Sequence, residues 1–215
     1  GTVGSGKTTL ARAFVLQLSQ ARYDVGLVTN PALPHAEFLA EVNQQFGLPA
    51  SGNGKVDLLH RFNERLVENR RRDRDTVLIV DEGQAILERE VFEELRLLLN
   101  FQLNDRFLLT LILMGQPELA EMVAGVEQFA QRIAIRFHLK ALDGKETREY
   151  IVFRLQRAGT ERPLFTEEAL DLVWERTQGV PRVINTLCDA CLLEGFASKA
   201  SVVDGRVVQR ALLSL

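Results

Sequence analysis

A glycine-rich motif at the start of the chain constrains its fold more than any other feature. Residues 1–8, GTVGSGKT, match the pattern G-x-x-x-x-G-K-[ST] at every fixed position. Glycines are needed in such a loop because its backbone N–H groups must approach phosphate oxygens closely, in a turn that a Cβ would obstruct. An apolar helical repeat begins at Thr8, which would add the positive end of a helix dipole. The motif predicts a phosphate-binding loop; the alternative is a glycine-rich turn ahead of a helix.

Two side chains at the end of the motif supply the charge and the hydroxyl that this chemistry requires. We expect Lys7 to reach the β- and γ-phosphates of a nucleotide, and Thr8 to place its hydroxyl on Mg²⁺. The expected nucleotide contacts run through the loop and into the helix: Gly1, Thr2, Val3, Gly4, Ser5, Gly6, Lys7, Thr8 and Thr9.

A continuous apolar run, Thr76–Val80, is followed directly by two carboxylates, Asp81 and Glu82. The run is typical of a strand buried on both faces. At the end of that strand Asp81 could hold Mg²⁺ beside the phosphate loop, and Glu82 could polarise an attacking water. The alternative is a solvated turn. Two adjacent carboxylates favour a water-activating NTPase over a small-molecule kinase, in which the second would promote wasteful hydrolysis.

Two amide side chains follow predicted strands. Gln116 comes just after an apolar run, and Asn30 follows the short strand Val25–Thr29. An amide both donates and accepts hydrogen bonds, so Gln116 could orient water or detect a γ-phosphate, unless it is only a polar turn cap. Asn30 could contact Glu82 or simply initiate the turn before a proline.

The hydrophobic periodicity alternates between helix and strand up to about residue 139, which predicts an α/β fold with a parallel sheet and flanking helices. The remaining tail contains helical repeats only, and it opens with the capping-box spacing Asp143-x-x-Glu146. We therefore predict a nucleotide-binding α/β domain over residues 1–140 and a small all-α domain over residues 141–215. The expected strands are Val25–Thr29, Thr76–Val80, Phe107–Met114 and Ala134–Leu139.

The composition excludes several classes of protein. Of the 215 residues, 46% are hydrophobic and 26% are charged, with a formal net charge of −3, which is not the balance of a disordered, collagen-like or disulfide-framework chain. No run reaches the ~18 apolar residues of a membrane helix. The chain also lacks the basic excess of a protein that coats nucleic acid. Its basic cluster, Arg70–Arg72 with Arg74, has no interleaved aromatics, which favours a solvated loop over a nucleic-acid contact.

The two cysteines, Cys188 and Cys191, form a single C-x-x-C spacing. A metal or redox site is disfavoured because there is no second pair and no histidine within ligand spacing. The predicted helix around them carries an apolar face formed by Val183, Leu187, Cys191 and Leu192. We interpret both as core thiols of a chain in a reducing compartment.

Taken together, these segments resemble an AAA+ ATPase, and specifically the general secretion pathway protein A (ExeA/GspA-type) family. The resemblance covers nearly the whole chain. The segments that carry it are GTVGSGKTTL, LIVDEGQ, LILMGQPEL, QRIAIRFHL, LFT and GVPRVINTLCD. The phosphate loop and the strand with its two carboxylates are shared by all P-loop NTPases, whereas GQPEL and GVPRVINTLCD are much more specific.

The resemblance implies a Walker A motif at Gly1–Thr8, a Walker B motif at Val77–Glu82 and a sensor-1 amide at Gln116. It implies ATP and Mg²⁺ as cofactors and ATP hydrolysis as the reaction. The catalytic residues it implies are Lys7, Glu82, Gln116 and Arg132, and the metal ligands are Thr8 and Asp81.

Three arginines receive roles from the resemblance alone. Arg182, after Gly-Val-Pro, is implied to be a sensor-2 arginine on a helical lid, and a proline in the first helical turn is consistent with a helix start there. Arg132 or Arg136 occupies the region of an arginine finger, and the motif does not decide between them. The alternative for each of the three is a surface charge.

In the family, the central strand of a five-stranded sheet precedes the phosphate loop. Nothing precedes Gly1 in this sequence, so we expect that first central strand to lie outside it. A membrane anchor and a periplasmic region follow the ATPase in some members. The implied location is cytoplasmic, at the inner face of the membrane if a downstream anchor exists.

Two functions are compatible with these motifs. The first is an ATPase that drives assembly of a secretion or envelope complex, with partners that include ATP or ADP, further copies of the chain, a partner ATPase or an envelope protein. The alternative is a nucleic-acid-associated AAA+ regulator resembling transposition or origin-recognition ATPases. A sequence pI near 5.7 and the absence of a winged-helix pattern favour the first.

Overall fold

A computed structural model describes residues 1–50, 54–103, 106–160 and 162–215. The chain divides into two compact units. The first consists of Lys7–His138 with Gly1, and the second consists of Leu139–Leu215 with Thr2–Gly6.

The first unit is built on a three-stranded parallel sheet, whose strand order is β1 (Tyr23–Val28), β2 (Asp75–Val80) and β5 (Leu109–Leu113). In register, Val25 lies opposite Val77 and Val77 lies opposite Thr110. The central strand β2 is buried at every position after Asp75, as expected of an apolar strand between two neighbours, and the strand predicted at Thr76–Val80 is confirmed.

Helices surround this sheet, and apolar side chains from several of them form its core. Phe38, Phe62 and Phe92 are completely or almost completely buried in the core. Gly26 in β1 lies against the ring of Phe46, which a Cβ at position 26 would strike. The helices are α1 (Lys7–Gln17), α2 (His35–Gln45), α3 (Lys55–Arg71), α4 (Glu90–Leu98), α5 (Glu118–Ala124) and α6 (Glu127–Ala130), with a 3-10 turn at Gly83–Ala85.

Two strand predictions need correction. The run predicted as Phe107–Met114 is split, because Phe107 belongs to a short antiparallel pair of strands, β3 (Gln102–Leu103) and β4 (Arg106–Phe107), and β5 begins only at Leu109. The segment predicted as a strand at Ala134–Leu139 is not one. Within the described residues β5 pairs with β2 alone, and a strand requires a hydrogen-bonded neighbour.

The helical unit contains α7 (Gly144–Arg157), α8 (Glu167–Thr177), α9 (Pro181–Ala197) and α10 (Gly205–Leu212). The predicted capping box is confirmed: the Asp143 carboxylate accepts from the Glu146 N–H at 2.8 Å, and the Glu146 carboxylate accepts from the Asp143 N–H at 2.9 Å. All four helices contribute buried side chains to a separate apolar core, α7 through Ile151.

The apolar face of α9 is rotated relative to the prediction. Leu187 and Cys191 are buried as expected, but Val183 is 45% exposed and its neighbour Ile184 is buried instead. Positions 184, 187 and 191 follow the i, i+3, i+7 spacing of one helix face, which position 183 does not share with them as closely. Cys188 is partly buried at the edge of this face, and both thiols are free.

Burial changes the acidity of both thiols. Desolvation raises the pKa of Cys188 to about 12 and that of Cys191 to about 11. Since the thiolate is the nucleophile, we expect a disulfide reagent at pH 8 to label the native chain ~100-fold or more slowly than the guanidinium-unfolded chain. Absorbance of the released thiol measures both rates. Equal rates in the native and unfolded chains would contradict the burial of this pair.

Candidate nucleotide-binding site

The ends of the parallel strands gather the polar residues of the site at one edge of the sheet. The Asp81 N–H donates to the Val28 carbonyl at 2.9 Å, and the Gly83 N–H donates to the Met114 carbonyl at 2.8 Å. The backbone nitrogen of Gly1 lies 3.3 Å from the Gly115 carbonyl oxygen. The Walker B carboxylates, the turn after β5 and the first residue of the glycine-rich motif therefore lie together, because parallel strands end at the same edge.

The most specific contact in the site joins the two predicted metal ligands. The Thr8 hydroxyl, in the first turn of α1, donates to a carboxylate oxygen of Asp81 at 2.6 Å. Asp81 is 2% exposed, and its other oxygen accepts from the Glu82 N–H at 2.9 Å. A buried carboxylate requires compensation, to which the Thr8 hydroxyl and the Glu82 N–H contribute two hydrogen bonds. A hydroxyl and a carboxylate are the oxygen ligands that Mg²⁺ prefers, so these two residues fit that ion.

The loop glycines adopt conformations that other residues avoid. Gly4 has φ +76° and Gly6 has φ +94°, both in the left-handed region. A Cβ on Gly6 would meet no described atom within 4 Å, so the backbone there borders open space that a phosphate oxygen could occupy. The Ser5 hydroxyl is buried and has no hydrogen-bond partner within the described part of the chain. A loop with these properties fits an oxyanion ligand.

Lys7 reaches back along the loop that precedes it. Its Nζ donates to the Gly1 carbonyl at 2.9 Å. This contact holds the ammonium group beside Gly1, whose backbone nitrogen lies next to the turn after β5. The cation required by a phosphate-binding motif is therefore present at the site.

Glu82 has an unusual backbone. Its φ of +52° and ψ of +38° lie in the left-handed region, which is rare for a residue with a Cβ. Backbone hydrogen bonds of Asp81 and Gly83 to the neighbouring strands fix the chain on both sides of it. The Glu82 carboxylate accepts a hydrogen bond from the side-chain amide of Gln84 at 2.5 Å.

The two residues with predicted amide roles lie in different turns. Gln116 lies in the turn after β5, and its backbone N–H donates to the side-chain oxygen of Gln84 at 2.9 Å, while the role of its side-chain amide stays a prediction. Asn30 is exposed, and its side-chain oxygen accepts from the Ala32 N–H at 3.3 Å. Of the two roles left open for Asn30, the structure therefore supports turn initiation. Sequence analysis missed Gln84, although it stands within the LIVDEGQ segment.

The predicted sensor arginine belongs to the same compact unit as the loop residues Thr2–Gly6. The Arg182 N–H donates to the Gly4 carbonyl at 3.2 Å. A Cβ on Gly4 would lie 2.7 Å from the Cβ of Arg182, so only glycine permits this approach. Arg182 is the second residue of α9, which begins with the proline expected there.

The finger candidates lie on the surface of the first unit. Arg132 is exposed and donates to the side-chain oxygen of Asn100 at 2.8 Å, while Arg136 is exposed in the segment that follows. In the basic cluster, Arg72 pairs with Glu68 at 2.6 Å and Arg74 donates to the Tyr23 carbonyl at 3.1 Å. The predicted solvated loop is therefore wrong for most of this cluster, because Arg70 and Arg71 lie in the last turn of α3 and Arg74 is only partly exposed and bonds β1, far earlier in the chain. Among the described residues, no group of three or more His, Cys, Asp or Glu could hold a metal ion, and no helix is long and apolar enough to cross a membrane.

Comparison with known proteins supports the resemblance seen in the sequence. General secretion pathway protein A of Aeromonas hydrophila is 38% identical over 200 residues, which is 92% of this chain and 36% of that protein. The chain thus spans about a third of the length of this curated relative. The resemblance to that protein is confirmed.

Solved structures confirm the fold. The ORC2 protein of Aeropyrum pernix, in ADPNP–ADP complexes, superposes with a TM-score of 0.71 at 20% identity, covering 98% of this chain and 59% of that one. The RuvB Holliday junction branch migration motor of Thermotoga maritima superposes with a TM-score of 0.54 at 16% identity, covering 98% of this chain and 70% of that one. These likenesses establish the α/β fold of P-loop AAA ATPases.

A family model described as "AAA domain" matches residues 1–123. That match includes the phosphate loop, the Walker B strand and the turn that carries Gln116. Because it spans more than half of the sequence, this chain belongs to the AAA domain family.

Proposed function

We propose that this chain binds Mg·ATP and hydrolyses it to ADP and phosphate. The observation that carries the proposal is the 2.6 Å hydrogen bond between the Thr8 hydroxyl and the buried Asp81 carboxylate, with Glu82 next in the chain. It brings the end of the phosphate loop and the end of β2 together, which a glycine-rich turn of another function would not require.

The binding roles follow from the groups at the loop. The positive φ values of Gly4 and Gly6 expose backbone N–H groups to an oxyanion, and the start of α1 adds the helix dipole. Lys7 supplies the charge for the β- and γ-phosphates. Thr8 and Asp81 would hold Mg²⁺, which when bound neutralises the developing charge of the phosphates.

The chemical roles fall to the residues after the strands. Glu82 carries the carboxylate that can accept a proton from an attacking water, and its fixed left-handed backbone sets where that carboxylate points. Gln116 stands in the turn beside it and is proposed to respond to the γ-phosphate. Arg132 is the proposed finger from a neighbouring subunit, with Arg136 as the alternative.

We further propose that residues 1–140 form the nucleotide-binding domain and residues 141–215 a lid whose position responds to nucleotide. The contact between the Arg182 N–H and the Gly4 carbonyl supports this division of roles, because it attaches the start of α9 to a loop residue. The Arg182 guanidinium could bond the γ-phosphate through its planar fork. Only a difference in affinity between ATP and ADP can shift a lid between two positions.

Arg182→Ala should therefore narrow the ratio of ATP affinity to ADP affinity. Loss of charged hydrogen bonds to the γ-phosphate corresponds to ~1–3 kcal/mol, or about a 5- to 150-fold change in that ratio. Calorimetric titration with each nucleotide measures this affinity ratio. The titrations use a Glu82→Gln background, in which ATP is not hydrolysed during the measurement. Arg206→Ala, which removes another exposed arginine of the helical unit, is the control. An unchanged ratio would leave Arg182 without a role in nucleotide discrimination.

The biological role that we propose is the assembly of a secretion or envelope complex, with the chain oligomerising or acting with a partner ATPase. The 38% identity with general secretion pathway protein A supports it. ATP is a cytoplasmic substrate, so the catalytic site would face the cytoplasm. The neighbours ORC2 and RuvB favour a second candidate, a nucleic-acid-associated regulator, although they share only the fold at this level of identity.

Phosphate release tests the proposal. The wild-type chain should release phosphate from ATP in the presence of Mg²⁺. This release should stop when EDTA removes the metal. Adding duplex DNA at low salt separates the two biological roles: stimulated turnover together with retention of the DNA on a filter would favour the regulator. No phosphate release in Mg²⁺, by a chain that remains folded, would contradict the proposal.

A further inference from the structure

The side-chain amide of Gln84 connects the two polar turns of the site. Its Nε2 donates to the Glu82 carboxylate at 2.5 Å, and its Oε1 accepts from the Gln116 N–H at 2.9 Å. Both ends of one amide are therefore used, one for each turn, and an amide is the group that can donate and accept at the same time.

Local structure explains how Gln84 reaches both partners. It lies in the 3-10 turn Gly83–Ala85, which is closed by a hydrogen bond from the Ala85 N–H to the Glu82 carbonyl at 2.7 Å. A Cβ on Gly115 would lie 2.7 Å from the Gln84 oxygen. The glycine at 115 thus gives the Gln84 side chain room to reach the Gln116 N–H.

We propose that Gln84 is the positioning residue of Glu82 and that it couples the Glu82 carboxylate to the turn carrying Gln116. This inference rests on the proposed function, in which Glu82 activates water. Asn30 makes a different contact: its side-chain oxygen accepts from the Ala32 N–H of its own turn. A shift of Gln116 when the γ-phosphate arrives or leaves would reach Glu82 through a single side chain, and hydrolysis would depend on the state of that turn.

Gln84 should act through Glu82 and not through nucleotide binding. We expect Gln84→Ala to lower the single-turnover rate of ATP hydrolysis about 10- to 100-fold, since small misplacements of a catalytic group have effects of this size. ATP affinity should change less than about twofold. In a Glu82→Gln background, Gln84→Ala should change the residual rate less than about twofold relative to Glu82→Gln alone. The carboxylate that Gln84 positions is already absent from that background.

A purely structural role predicts a different result. It would lower the rate by the same factor in both backgrounds, which would overturn the proposal, as would an unchanged rate in the Gln84→Ala chain. Gln131→Ala is the matched control, because Gln131 is an exposed glutamine whose side-chain amide donates to Glu127, four residues earlier.

Hydrogen exchange at the Gln116 amide tests the connection without any hydrolysis. Gln84→Ala should speed exchange of that N–H about two- to tenfold at an unchanged unfolding midpoint, whereas the Gln131→Ala control should not. Equal exchange in wild type and Gln84→Ala would overturn the connection. A wild-type chain that hydrolyses no ATP but shows the expected exchange would contradict the proposed function and leave the Gln84 connection established.

Discussion

Replacing Glu82 with glutamine should leave a chain that binds Mg·ATP and hardly hydrolyses it. We expect the turnover number to fall by about 10²- to 10⁴-fold, the contribution typical of a positioned general base, because an amide cannot take a proton from water. ATP affinity should stay within about twofold. Glutamine keeps the size of the side chain and an oxygen that can accept from Gln84, so the hydrogen bond within the turn can persist.

Steady-state phosphate release and calorimetric titration measure the two quantities separately. Glu121→Gln is the control, since Glu121 is an exposed glutamate in the first turn of α5 and should affect neither. Equal turnover in the wild-type and Glu82→Gln chains would show that another group activates the water. A loss of affinity equal to the loss of turnover would indicate instead that Glu82 supports binding.

Lys7→Ala should abolish nucleotide binding at ordinary concentrations. The lysine provides the positive charge for two phosphates, and a hydrogen bond to a charged group is worth ~1.5–3 kcal/mol, so two such bonds correspond to a 100-fold or greater loss of affinity. The substitution also removes the hydrogen bond from Lys7 to the Gly1 carbonyl. That loss should destabilise the fold little, because water can donate to the carbonyl oxygen in place of the lysine.

Fluorescence anisotropy of a labelled ATP analogue, titrated with protein, measures this loss. Arg12→Ala removes another cation, exposed on the same helix α1, and should bind like wild type. Unchanged affinity in the Lys7→Ala chain would contradict the assignment of residues 1–8 as a phosphate loop. A loss of the same size in Arg12→Ala would mean that the general charge of this surface governs binding.

The features that could be predicted from sequence are those fixed by local chemistry. The glycines of the loop are recognisable because their backbone requires positive φ, as Gly4 and Gly6 show. The run Thr76–Val80 is recognisable because a central parallel strand is apolar on both faces. Once that strand is placed, the position of Asp81 at its end follows from the geometry of the sheet.

The features that could not be predicted depend on contacts between distant parts of the chain. The bond from the Gln116 N–H to Gln84 spans 32 residues, and neither spacing nor composition indicates it. Asn30 also follows a strand end, and its side-chain oxygen accepts from the Ala32 N–H of its own turn, a local Asx contact that competes with any distant one. The strand expected at Ala134–Leu139 fails for a related reason: β-structure needs a partner, which the pattern of a single segment does not reveal.

Single-turnover hydrolysis tests the central claim most directly, because protein in excess of γ-labelled ATP makes the rate independent of product release. The wild-type and Glu82→Gln chains, both saturated with Mg·ATP, should bind all of the nucleotide. We expect the wild type to release labelled phosphate about 10²- to 10⁴-fold faster than Glu82→Gln, and not at all in EDTA. Equal rates in the two chains, or a wild-type rate unaffected by EDTA, would contradict an ATPase site built from Lys7, Thr8, Asp81 and Glu82.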